Sequence, residues 1–192
     1  KHFFETKALL TIRLAFAIST SIGQVVVNEV CFANYSDWGL GGGWGGGEFE
    51  DWIEFYNPTG ADVSLEGYYL SDNPADLMKF ELPAEAVVPG NGYLIVLFTG
   101  LGDADPFWQG YINSSFKVTQ TAGESILFSD PAGTQLEGWT FGVDIEPNSM
   151  NNSWGRSSDG AADWVIQANP SAEGPNAGEQ GTAYAAKCQI TP

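Results

Sequence analysis

The chain has 192 residues, 43% hydrophobic and 14% aromatic, with 24 acidic against 7 basic residues and a formal charge of −17. That is enough apolar material for one core of about 100–200 residues, and 24 glycines with 10 prolines favour a turn-rich β protein. The acidic balance excludes a binder of nucleic acid or anionic membrane, both of which are held by Lys and Arg.

Lys1, Lys7 and Arg13 precede a short apolar run, Leu14 to Ile22, with small residues at Ser21 and Gly23. This order predicts a secretory signal peptide over residues 1–23; the plainer alternative is an amphipathic helix packed on the domain. The run is too short to span a bilayer, which takes about 20 residues. No membrane insertion is expected after cleavage. No lipobox precedes Cys31, so no lipid anchor is expected. Removing 1–23 takes Lys1, Lys7, Arg13, Glu5 and His2, leaving four basic residues against 23 acidic ones, a net of −19. A mature chain without histidine excludes Ser-His-Asp and Cys-His hydrolases and histidine zinc sites. Cys31 and Cys188 are 157 positions apart, which excludes a Cys-x-x-Cys motif. In an oxidising compartment they are expected to bridge each other.

From Gln24 the chain reads as short strands between turns. Gln24–Ala33 is β-branched and apolar and predicts the opening strand. Gly41–Gly47, six glycines interrupted only by Trp44, predicts a loop, because so much glycine resists regular structure. Without a following Lys and helix it is no phosphate loop. Asp51–Asn57 alternates, with Ile53 and Phe55 on one side and Trp52, Glu54 and Tyr56 on the other. Gly67–Asp72, Leu77–Leu82 and the apolar Tyr93–Phe98 are further strands, the last placed centrally after the turn Pro89–Gly92. Gly100–Gln109 predicts a loop. Phe116–Val118, Ser125–Ser129, Gln135–Phe141 and Trp164–Gln167 complete the expected strands, and 177–192 a polar tail or linker. Turns every 8–12 residues or so are those of a β-sandwich.

The pieces VVVNEV (25–30), DWIEFYNP (51–58), LEGYYLSD (65–72), VPGNGYLIV (88–96), GESILFSDPAGTQLEGWTFG (123–142), SWGRSSDGAADW (153–164) and NPSAEGPN (169–176) come in an order that resembles the lamin tail domain family. The resemblance spans 24–176 and implies an all-β, immunoglobulin-like antiparallel β-sandwich without a known catalytic site. Bacterial members of that family are secreted or surface modules, and cleavage before Gln24 resembles the Gly-Gln junctions of Bacteroidetes-type signal peptides. Residues 39–47 and Leu101–Ser115 depart from the family pattern and read as insertions. The acidity argues against the chromatin contacts of nuclear members.

Trp52, Trp139, Trp154 and Trp164 fall in or beside the family-like pieces and are read as sandwich packing. Trp38, Trp44 and Trp108 fall in loops, where a free indole stacks on a sugar ring or anchors a protein partner; the bland alternative is that the loops fold back over them. Asp103 and Asp105 offer two oxygens to calcium, which needs six to eight; the plainer reading is a solvated acidic loop and no cofactor. Asp144 and Glu146 form a weaker pair. Glu48, Glu50, Asp51 and Glu54 cluster, and two carboxylates suffice for glycoside hydrolysis, yet such clusters are more often solubility charges; Glu54 alone has the further reading of a hydrogen-bond acceptor. Arg156, flanked by Trp154, is expected to bind carbonyls or a carboxylate, to stack on that ring and to lock the last strands. The sequence thus points to a non-enzymatic binding module, secreted or on the cell surface with the periplasm as alternative, whose partner is a protein or glycan outside the cell. A self-assembling surface component and a carboxylate-dependent glycan hydrolase are the other two readings.

Overall fold

The computed structural model describes residues 25–34, 49–102, 104, 107–108, 110–119, 123–141 and 151–177. Among them no helix occurs, and none is long and apolar enough to cross a membrane. A seven-stranded sheet runs in the order β13 (Trp164–Gln167), β12 (Ser153–Arg156), β1 (Val26–Cys31), β2 (Trp52–Tyr56), β7 (Tyr93–Leu97), β9 (Tyr111–Asn113), β8 (Phe107–Trp108). A four-stranded sheet has the order β11 (Gln135–Phe141), β10 (Glu124–Ser129), β4 (Tyr69–Ser71), β5 (Phe80–Glu81), and β3 (Val63–Ser64) pairs with β6 (Val87–Val88). Pairing is antiparallel throughout except between β7 and β9. This is the β-sandwich that the turn spacing and alternation predict, of the immunoglobulin-like kind that the resemblance implies.

Period-two alternation decides what each strand contributes. Ile53 and Phe55 of β2 enter the main core, whereas Trp52 and Glu54 face away from it. In β1 a bulge between Val27 and Glu29 breaks that rhythm. Val27, Val30 and Phe32 thereby all reach the core, and Glu29 and Cys31 turn to the outer face. Phe55 meets Phe128 of the facing sheet at a ring separation of 4.9 Å, and Tyr68 stacks on the same ring at 5.6 Å. On the outer face Cys31, Trp52, Ile95 and Leu97 form a second, smaller apolar cluster, against which Tyr111 and Ala172 pack.

The turns fall where expected. Gly92 closes on the Pro89 carbonyl, with Asn91 at φ 55°, and Gly133 closes on Asp130 at φ 76°. Three expectations need correction. Phe116–Val118 is not a strand; the pairing residues are Tyr111–Asn113, because Ser114 donates its N–H to Leu97 and its hydroxyl to Phe116, turning the chain out of the sheet. The supposed loop 100–109 contains β8, so Trp108 lies on an edge strand. Leu77–Leu82 shortens to Phe80–Glu81, residues 77–79 being taken up in a turn.

Candidate functional site

The polar centre of the molecule is on the outer face of the large sheet. Glu29 of β1 and Glu54 of β2 stand directly opposite each other, both fully buried. Asn28, the bulge residue, gives its amide N–H groups to Glu54 Oε1 and Asp159 Oδ1, 3.0 Å each, and accepts from Gly160 N–H. Glu29 accepts from the Ser153 hydroxyl, the Ser171 hydroxyl at 2.7 Å and the Ser171 N–H. Glu54 Oε2 accepts from Glu173 N–H at 2.7 Å. Tyr93 donates to Asp159 Oδ2 at 2.5 Å. Asn176 donates to the carbonyls of Asn28 and Arg156, its N–H goes to Asp159, and its Oδ1 takes the Ser171 hydroxyl. The segment 169–177 is thus strapped across the sheet, with Ala172 set into the outer apolar cluster. A tight turn, Gly174 N–H to Ser171 carbonyl, and Glu173 at φ 61° give the strap its shape.

Among the described residues none of these carboxylates has an ion-pair partner. Burial pushes Glu54 up to about 9, with the Asn28 amide opposing and the Glu29 charge adding. Burial raises Glu29 as well, against its serine donors. For Tyr93, burial and then the Asp159 carboxylate hold the phenol protonated and donating. Such groups act as acceptors in a closed network. A general acid or nucleophile must touch its substrate, and Glu54 has no solvent face. The solvent-facing reading of Glu54 is therefore corrected.

On the inner side of β12, Arg156 clasps the two sheets. It donates to Val27 O at 2.7 Å, Ala161 O at 2.5 Å and Glu137 Oε2 at 2.6 Å, and Glu137 Oε1 in turn accepts from Val27 N–H. The guanidinium lies 5.0 Å from the ring of Trp164, so the stacking partner is Trp164 rather than the expected Trp154. Trp164 also meets Trp139 at 4.5 Å and Trp154 at 6.1 Å. Trp52 is wholly buried, and these three are half-buried against the main core, as packing residues should be.

A cleft of about 310 Å³ opens at one end of the sandwich between Phe32, Phe98, Phe49 and Lys117. Asp51 lines it, accepting from Asn34 N–H at 3.0 Å, and burial pushes this carboxyl up to about 7. Glu50 lies 3.6 Å from Lys117.

Of the residues singled out in the sequence, Trp38, Trp44, Glu48, Asp103, Asp105, Asp144, Glu146 and Cys188 lie outside the described residues. Trp108 is in β8, at the far edge from the network. Cys31 is buried on the outer face, its Sγ 3.4 Å from the Asn152 carbonyl. Among the described residues no group of three or more His, Cys, Asp or Glu is arranged to hold a metal. Sequence reasoning missed Asn28, Glu29, Asp159, Ser171 and Asn176. Their signal was present: NEV, WIEF, SSDG and NPSAEGPN, four of the pieces that carried the resemblance, converge on this one network.

In comparison with known proteins, the family model described as Lamin Tail Domain matches residues 18–143. No curated protein and no solved structure matches this chain.

Proposed function

The chain belongs to the lamin tail domain family, and from that premise we propose that it is a non-catalytic binding module working outside the cell or at its surface. The observation that carries this reading is the closure of Glu54. Among the described residues it is the acid of the 48–54 cluster that is wholly buried, and it is sealed beneath the strap as an acceptor for Asn28 and Glu173. What remains for contact are the aromatic segments that depart from the family pattern. We assign ligand contact to Trp38, Trp44 and Trp108, and as ligand a glycan or a protein surface, indole faces being suited to either. The charge of −17 directs the module away from polyanions. In the same compartment Cys31 and Cys188 form a bridge, and no metal cofactor is required.

A glycan array and a pull-down from surface extracts, run with the wild type and with Trp38→Ala/Trp44→Ala, test the assignment. Binding that falls at least tenfold in the double variant is expected. Turnover in a broad glycosidase assay, abolished by Glu50→Gln or Glu54→Gln, would overturn the non-enzymatic reading. Thiol counting on unreduced, denatured protein checks the bridge: two reactive thiols per chain would exclude it.

A further inference from the structure

The four-stranded sheet ends on a strand of unusual openness. β11 is seven residues long and pairs with β10 at every residue but Leu136, where a register slip next to the turn leaves Glu137–Phe141 as a regular edge; on its other side it pairs with no strand among the described residues. Long edges are templates for a further strand, and proteins normally blunt them with Lys, Pro, a short length or an inward charge. The sequence Gln-Leu-Glu-Gly-Trp-Thr-Phe has neither Lys nor Pro. Its one charge, Glu137, does point inward, but it is already paired with Arg156 and accepts from Val27 N–H, so a docking strand would leave no charge without a partner. By contrast the other edge of this sheet, β5, is two residues long.

The surroundings of the edge say what would fit. On the inner side, Trp139 of β11 lies 4.5 Å from Trp164 of β13, so the edges of the two sheets adjoin at a seam of half-buried indoles. On the outer side, Leu136 is 40% exposed and Thr140 is exposed. Beyond the edge lies the field of a chain with 24 acids and 7 bases. A second copy of the chain would bring the same negative charge to the edge, whereas a basic strand would be drawn to it.

We propose that the open edge of β11 is a docking site for an extended segment of a partner protein, added as a fifth strand, whose apolar residues alternate with Lys or Arg. The apolar side chains of that segment meet the Trp139–Trp164 seam, the basic ones stand on the outer face in the protein's own negative field, and backbone hydrogen bonds supply affinity independent of side-chain identity. The docking assignment uses neither Trp38 nor Trp44, and the two assignments stand or fall apart.

The probe is an eight-residue peptide alternating valine and lysine, with a proline-interrupted peptide of the same charge as control. Amide hydrogen exchange on the full chain reads the result. The alternating peptide is expected to slow exchange of alternate β11 amides at least tenfold, and the proline-interrupted peptide to leave them unchanged. Leu136→Lys/Thr140→Lys, at two exposed positions, should keep the melting curve and weaken the effect at least tenfold. Trp38→Ala/Trp44→Ala should leave it intact. Protection elsewhere, no protection at millimolar peptide, or equal binding of the interrupted peptide would overturn the proposal. So would β11 amides already protected without peptide in a chain that sediments as a dimer, since the edge would then belong to a second copy.

Discussion

Arg156 shows how much one side chain can settle. It is one of seven basic residues in the chain, it is 8% exposed, and three of its contacts come from three different parts of the sequence. Burial raises Glu137, and the guanidinium opposes that rise. Removing the cation would leave a carboxylate stranded between the sheets and the Val27 carbonyl without its donor. Loss of one partner of such a pair costs about 3 kcal/mol, which for a domain of this size lowers the melting temperature by roughly 6–12 °C. Arg156→Lys should recover only part of it, because a point charge cannot serve three acceptors in a fork. Calorimetry of both variants is the check; Arg156→Ala melting like the wild type would show that the clasp contributes nothing. The role of Arg156 was legible in the sequence, since a rare cation beside tryptophans and turn residues has few other uses. Its ring partner was not, because the register of β12 against β13, which sets Arg156 opposite Trp164, is a tertiary fact.

At the scale of elements, alternation and turn chemistry carried most of the fold. β2, β7, β10, β11 and β13 were readable because each shows a clear apolar rhythm or ends on a Gly or Pro turn. The short pairs β3 and β6 were not, since two residues make no rhythm. The bulge in β1 was also hidden, and with it the network, because VVVNEV gives no sign that the alternation slips at Asn28. NPSAEGPN was legible as a family-like piece but not as a strap, because its order comes from acceptors elsewhere in the chain rather than from its own pattern. Its fit over β12 leaves little room: a methyl on Gly155 would approach Glu29 Cγ to 3.1 Å and Asn176 Nδ2 to 3.2 Å. Gly155→Ala is therefore expected to cost about 1–3 kcal/mol as an overpacking change. It should speed amide exchange at Ser171, Glu173 and Asn176 more than in β10. Uniform loss of protection would instead mean that the strap has no local opening of its own.

The whole molecule is acidic outside and acidic in a buried place, and the two contribute to pH dependence in distinguishable ways. In the unfolded chain Glu54 and Asp51 titrate near 4.5 and 3.8; in the folded chain burial moves them up to about 9 and about 7, and Glu29 moves the same way. A raised carboxyl binds its proton more tightly when folded. Its contribution is complete below the unfolded value and is lost as pH rises towards the folded one. Stability should thus fall from pH 5 to pH 9, by up to about 1.4 kcal/mol per pH unit for each such group. Asp51 acts below about 7, and Glu54 continues to about 9. Repulsion among surface carboxylates works in the same direction but is screened beyond about 3 Å in 1 M salt, whereas the Glu29–Glu54 pair is shielded from ions by its burial. Urea midpoints at pH 5, 7 and 9, in low and high salt, separate the two. A fall between pH 7 and 9 that survives salt and vanishes in Glu54→Gln is the expected result. Stability that rises over the same range would mean that the strap holds both carboxylates as anions, with Asn28, Ser153 and Ser171 stabilising charge rather than neutral acid.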